Sequence, residues 1–330
     1  MSLSGRWRTA CLATIAGAMM GVVSGQEPGE TVQTFRAGVD VAILRLTVRN
    51  PDNRLVTNLE RDDFRVLVDG QPAEIVAFAV ETKPLAIALM INTWMDILPY
   101  DRLRGIGYAL VDALLPGDVL VVGSFAQEIA ISPWLTSDRA VLRRVIGEEL
   151  WGGNGNPLGT AVDVATNALS SSSQRRVVMM VGSHLPPYCF QMVGVPCTSE
   201  KDAEAKAIAT GVRVYGIRLD LPGFDDNVSR AYPGFGTYFG NKRQGTVKSP
   251  DDSVLRMARD TAGGYLKLAG RAGGNDDLEA AMSAVTEELR REYVIGFKPV
   301  AADGQRHTVR VQVTTRGLTA QMKPASADEK

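Results

Sequence analysis

Four apolar runs, LAIALMI (85–91), DVLVVGSF (118–125), RRVVMMVG (175–182) and VRVYGIRL (212–219), punctuate the middle of the chain. The segments between them carry their apolar residues at helical spacing, so the region alternates strand and helix. Runs without polar alternation are what strands buried on both faces require, and strand–helix repetition makes those strands parallel. In DRLRGIGYALVDALL, Leu103, Ile106, Leu110, Val111, Leu114 and Leu115 share one helical face. In DLEAAMSAVTEELRREY, Leu278, Met282, Val285 and Leu289 share another, behind capping candidates Asn275, Asp276 and Asp277.

Both ends of the chain read differently. Between residues 39 and 80 short alternating runs (Val41, Ile43, Leu44, Leu46, Val48; then Phe64, Val66, Val68) are separated by Pro-Asp-Asn and Asp-Gly turn signals. YVIGFKP and HTVRVQVTTRGLTAQM close the chain, with Asp303-Gly304 between them as a hairpin turn. The expected architecture is an α/β domain over residues 84–290 with a doubly wound, mostly parallel sheet. An antiparallel β domain built from segments 34–80 and 291–323 flanks it, although two separate small sheets fit the same pattern.

A chain of 330 residues, 45% hydrophobic and with net charge −1, has ample core and no basic footprint for nucleic acid. Residues 1–25 combine Arg6 and Arg8 with an apolar stretch and small residues before Gln26, the pattern of a cleaved secretory signal; a retained anchor is the alternative. Cleavage takes two arginines and no acid, moving the net charge from −1 to −3. The exported chain, periplasmic or extracellular, then has no membrane span and keeps Cys189 and Cys197. These two are a disulfide candidate in an oxidising compartment, against the alternative of two buried thiols.

Three segments carry a resemblance to a known family: FRAGVDVAILRLTVRNPDNRLVTNLERDDFRVLVDGQ, LLPGDVLVVGSF, and ARDTAGGYLKL followed by ELRREYVIGFKP. Together with the order of elements, these resemble the von Willebrand factor A family, and more narrowly its VWFA-related Acidobacterial domain group. The resemblance implies a site for Mg²⁺ or Mn²⁺ above the sheet, built from a DxSxS motif, a later Thr and a further Asp. On this sequence the motif falls on Asn92, Trp94 and Asp96, the Thr on Thr160, and the last Asp on Gly182. Two carboxylates are lost and one is gained, while a hard cation needs several oxygen ligands. The resemblance therefore implies a degenerate metal site (Asn92, Asp96, Thr160) that binds Mg²⁺ or Mn²⁺ weakly or not at all.

Trp94 and Met95 follow a buried strand, where they form either an apolar contact surface for a partner or local core. The Gly- and Pro-rich stretch from Asp220 to Pro250 reads as a long surface loop, serving contacts or covering the sheet. The two histidines, His184 and His307, sit in no HExxH, no GxSxG elbow is present, and GGNGNPLGT lacks the Lys of a phosphate loop. EELRRE (287–292) and ERDD (60–63) read as solvated faces. The expectation is an exported, non-enzymatic, protein-binding module acting through Trp94, Met95, Asp96 and Thr160, without need of metal. The alternatives are a cation-dependent adhesion module with a rearranged site and a structural envelope protein without a discrete ligand site.

Overall fold

The computed structural model describes residues 32–36, 41–93, 100–150, 153, 155–182, 197–220, 251–269, 275–299 and 306–322. The front of the chain forms β1 (Val32–Arg36), β2 (Ala42–Arg49), β3 (Leu55–Val56), β4 (Phe64–Val68), β5 (Gln71–Ala73) and β6 (Ile75–Thr82). Asp69 and Gly70, at φ 48° and 79°, turn β4 into β5, which is the conformation that an Asp-Gly hairpin demands. Between β3 and β4, ERDD forms a single 3-10 turn, Arg61–Asp63, preceded by Glu60 in a reciprocal capping box with Asp63.

The four apolar runs become β7 (Leu85–Asn92), β8 (Val119–Phe125), β10 (Arg175–Gly182) and β11 (Arg213–Asp220), with β9 (Ile129–Ile131) and β12 (Tyr265–Ala269) completing one sheet. Its order is β12-β11-β10-β7-β8-β9. Every pair is parallel except β8 with the short edge strand β9. Counted from β7 as first, the order is third, second, first, fourth, fifth, sixth, and the direction of winding reverses between β7 and β10.

Helices cover both faces. Alternate residues of β7 point opposite ways. Leu85, Ile87, Leu89 and Ile91 pack against α1 (Tyr100–Asp112), α2 (Arg139–Glu148) and α6 (Asn275–Arg290); Ala86, Ala88 and Met90 pack against α3 (Leu158–Ala168), α4 (Glu200–Ala209) and α5 (Asp251–Asp260). All eight residues of β7 are buried, and each large aliphatic among them contributes about 1.5–3 kcal/mol. Among the described residues no helix is long and apolar enough to cross a membrane.

The last strands, β13 (Arg291–Phe297), β14 (Arg306–Val313) and β15 (Thr319–Met322), return to the front of the chain. They give two sheets, β15-β2-β13-β6 with β3 beside β2, and β1-β14-β4-β5, each mixing both chain ends. Leu44, Leu46, Val66, Ile295, Phe297, Val309 and Val311 fill the space between the sheets. Phe64, Phe78 and Tyr293 meet there with ring centroids 5.0–5.9 Å apart.

One expectation is overturned here: EELRRE is not a solvated face. Arg290 and Glu292 are buried. Arg290 forms a two-pronged pair with both oxygens of Asp118, which also accept the backbone N–H groups of Leu85 and Leu115. The Glu292 carboxylate takes Arg175 on one oxygen and Arg213 on the other, and Glu288 takes Arg54. These residues stand where α6 runs into β13, at the amino ends of β7, β10 and β11, and so join the parallel sheet to the sandwich beneath it. Sequence spacing hid them because each acid is spent on a base more than seventy residues away.

Candidate functional site

At a reversal of winding, the loops leaving two neighbouring strands diverge to opposite faces and open a crevice beyond their carboxyl ends. Here that point lies between Asn92, the last residue of β7, and Gly182, the last residue of β10. Asn92 is 2% exposed, and its Nδ2 donates to Asn156 Oδ1 at 2.8 Å; Asn156 is buried too. The amide pair closes the floor between β7 and the residue that precedes Pro157 at the head of α3.

Thr93 extends the floor. Its N–H donates to the Phe125 carbonyl at the end of β8, and its own carbonyl accepts from the Tyr100 hydroxyl at 3.1 Å and from the Gly153 N–H at 3.4 Å. The glycine-rich stretch thus crosses the top of the sheet. Gly155 does so at φ 123°, a value that disfavours a side chain, and a Cβ there would lie 3.3 Å from the Ala126 carbonyl oxygen.

Trp94, Met95 and Asp96 lie outside the described residues, as do Cys189, His184 and the stretch from 221 to 250. The chain leaves the floor at Thr93 and re-enters at Tyr100, whose hydroxyl touches Thr93. Both ends of the segment that holds the three residues are therefore anchored at the crevice.

Thr160 is placed one turn into α3. Its Oγ1 accepts the backbone N–H of Thr198 at 3.0 Å. The preceding glycine takes part in the same contact, since a Cβ on Gly159 would come within 2.4 Å of the Thr198 carbonyl oxygen. Gly159 and Thr160 together seat residues 197–199 across the start of α3, just before Ser199 caps α4. Asp163, one turn on, pairs with Lys206 of α4 at 2.6 Å. Thr160, which the resemblance offered as a metal ligand, holds residues 197–199 against α3, a contact that only the tertiary path of those residues reveals.

At Gly182 a side chain has no room, because a Cβ would stand 2.5 Å from Asn92 Cβ. Among the described residues, Asn92 gives an Nδ2–H to Asn156, Thr160 Oγ1 accepts a backbone N–H, and position 182 has no side-chain oxygen. Among the described residues no three His, Cys, Asp or Glu side chains cluster as ligands. His307 lies far along the chain in the sandwich, with Nδ1 2.7 Å from Asp69. A groove lined by Arg61, Arg65, Pro72, Glu74 and Gln312 belongs to the sandwich as well, and no top-face residue lines it.

Neither a family model nor a curated protein matches the chain. Among solved structures, it is similar to the conserved hypothetical protein BatB from Bacteroides thetaiotaomicron, at 14% identity and TM-score 0.43 over 62% of this chain and 98% of that one. A von Willebrand factor type A protein from Catenulispora acidiphila is similar at 10% identity and TM-score 0.44, over 88% of this chain and 67% of that one. The von Willebrand domain of the type V pili tip protein Mfa5 from Porphyromonas gingivalis gives 12% and 0.41, over 63% and 95%. At these scores the likeness adds nothing to what the strand order says of the fold.

Proposed function

We propose that the chain is an exported, non-enzymatic protein-binding module of von Willebrand factor A type, with the A-like domain over residues 84–290 and a β domain from segments 34–80 and 291–323. The observation that carries this reading is the Asn92–Asn156 amide pair. It sits at the reversal point of the sheet, where such folds take their ligands, and puts a neutral, closed floor where cation-dependent adhesion requires carboxylates. Binding then falls to the segment between Thr93 and Tyr100, with Trp94 and Met95 as the apolar contacts and Asp96 as the charged one.

Export is supported by the pattern of residues 1–25. A Cys189–Cys197 bridge is supported by Cys197 being engaged in a disulfide bond. It would tie residues 189–197 to the segment that Gly159 and Thr160 seat on α3.

The test is calorimetric titration of Mg²⁺ and Mn²⁺ into metal-stripped residues 26–330, with Asp96→Ala as control. Metal-independent binding predicts no saturable heat. Saturable binding that Asp96→Ala abolishes would replace this reading with a rearranged cation site. Protein binding itself is tested by Trp94→Ala in the full exported chain, which must abolish a stoichiometric complex that the parent forms in EDTA; a complex unchanged in the variant removes the top face from the proposal.

A further inference from the structure

The joint between the parallel sheet and the sandwich carries more positive charge than its acids balance. Among the described residues four arginines are buried, Arg49, Arg175, Arg213 and Arg290, against two carboxylates, Asp118 and Glu292. Arg290 and Asp118 neutralise each other through two contacts. Glu292 is shared between Arg175 and Arg213, which leaves one positive charge over, and Arg49 adds a second with no carboxylate on its own guanidinium.

The nearest other acids are committed elsewhere. Asp260 faces Arg49 but accepts from Arg259 at 3.0 Å, and Glu81 faces Arg175 but pairs with Lys83 at 3.3 Å and stands 3.9 Å from Arg45. Both side chains are partly exposed, and each already faces a surface cation, Arg259 for Asp260 and Lys83 for Glu81.

Hydrogen bonding points to the same place. Arg49 closes the end of β2, giving Nη1 to Asn53 Oδ1 and Nη2 to the carbonyl of Arg259 at the foot of α5. Its Nε is buried with no acceptor among the described residues. Arg213 opens β11, whose next residue, Val214, donates to Thr261 Oγ1 beyond the same α5 foot. Arg213 gives Nη2 to Glu292, while its Nη1 is buried with no acceptor among the described residues. Burial, with the adjoining charges of Arg259 and Arg213 and against that of Asp260, pulls Arg49 down to about 10. Two guanidinium groups therefore each keep an unspent N–H in a buried region whose positive charges outnumber its carboxylates.

We propose that this joint binds a small inorganic monoanion, chloride in ordinary buffers, between the Nε–H of Arg49 and the Nη1–H groups of Arg213. A water molecule would satisfy the N–H groups but leave the charge excess untouched, and an uncompensated buried charge is strongly unfavourable. With Arg49 and Arg213 only 5% and 3% exposed, the ion is taken up as the two layers close. Its binding therefore appears in the folding equilibrium.

The experiment is equilibrium unfolding and refolding of the chain in sodium chloride and in sodium gluconate at equal ionic strength, so that general screening is matched. A chloride-specific rise in the urea midpoint that grows with chloride concentration is expected. It disappears in Arg213→Met and persists in Arg143→Gln, which removes an exposed arginine paired with Asp112. Superimposable curves in the two salts, or a chloride effect of equal size in Arg213→Met, overturn the proposal. Should Arg213→Met fail to fold, crystals of the parent grown in bromide decide the matter: an anomalous peak between Arg49 and Arg213 supports the site, and a water or nothing there sinks it.

Discussion

The Asn92 amide shows how a strand end can keep a polar residue without a charge. Its N–H is buried, and it is satisfied because Asn156 offers an oxygen at 2.8 Å. Asn156→Ala removes that acceptor from a buried amide, a loss of about 1–3 kcal/mol that a lowered urea midpoint should report. Gly182→Ala presses a methyl group against Asn92 Cβ and is expected to cost about 1–3 kcal/mol through overpacking. An unchanged melting temperature in that variant would mean that β7 and β10 are further apart at their ends than the contact implies. Tyr215 gives a prediction in pH. Burial first, and then the charge of Glu288, raise its phenol above the ordinary value. The folded state therefore keeps a proton that the unfolded chain releases near pH ~10. The stabilisation is complete below that pH and is lost progressively as pH rises above it toward the higher folded-state value, so Tyr215→Phe should flatten the alkaline fall in stability by up to one proton's worth of slope.

At the scale of elements, what the sequence made legible is what periodicity encodes. The runs beginning at Leu85, Arg175 and Val212 hold strands, and the helical faces of Leu103–Leu110 and Leu278–Leu289 are the faces that pack. The short edge strand β9 and the docking of residues 197–199 on Gly159 and Thr160 were not legible, because both depend on tertiary partners rather than on local pattern. The ionic joint escaped for a related reason: an arginine that opens a buried strand reads as a boundary residue until a parallel neighbour and a returning strand surround it. For Arg290 and Asp118 the physics predicts a marked asymmetry. Arg290→Met alone leaves a buried aspartate facing no cation and should cost about 3–5 kcal/mol. Adding Asp118→Asn should recover part of that loss, since the amide still accepts from Leu85 or Leu115. A double variant that is as unstable as the sum of the singles would show that the two side chains do not act as a pair.

For the whole molecule, the way the layers are joined decides how it comes apart. The sandwich owns strands from both chain ends, so neither end can be released without unpairing β2, β13 or β14. The parallel sheet and its helices meet it through Glu292, Arg175, Arg213, Arg290 and Asp118, through Arg49 on the Arg259 carbonyl and Arg54 on Glu288, and through Leu55 of β3, which packs into the core under the sheet. Apolar contact is forgiving of small displacements, whereas a carboxylate shared by two buried guanidinium groups is not, because each loses its partner at once. The intact chain should therefore melt in a single calorimetric transition. Glu292→Gln keeps the shape of the side chain but leaves Arg175 and Arg213 buried without a counter-charge, which disfavours contact between the layers while leaving both cores intact. The expected result is a lower melting temperature with two resolved transitions, one for the parallel sheet and one for the sandwich. A single transition at an unchanged temperature would place the coupling in the covalent run from α6 into β13 instead.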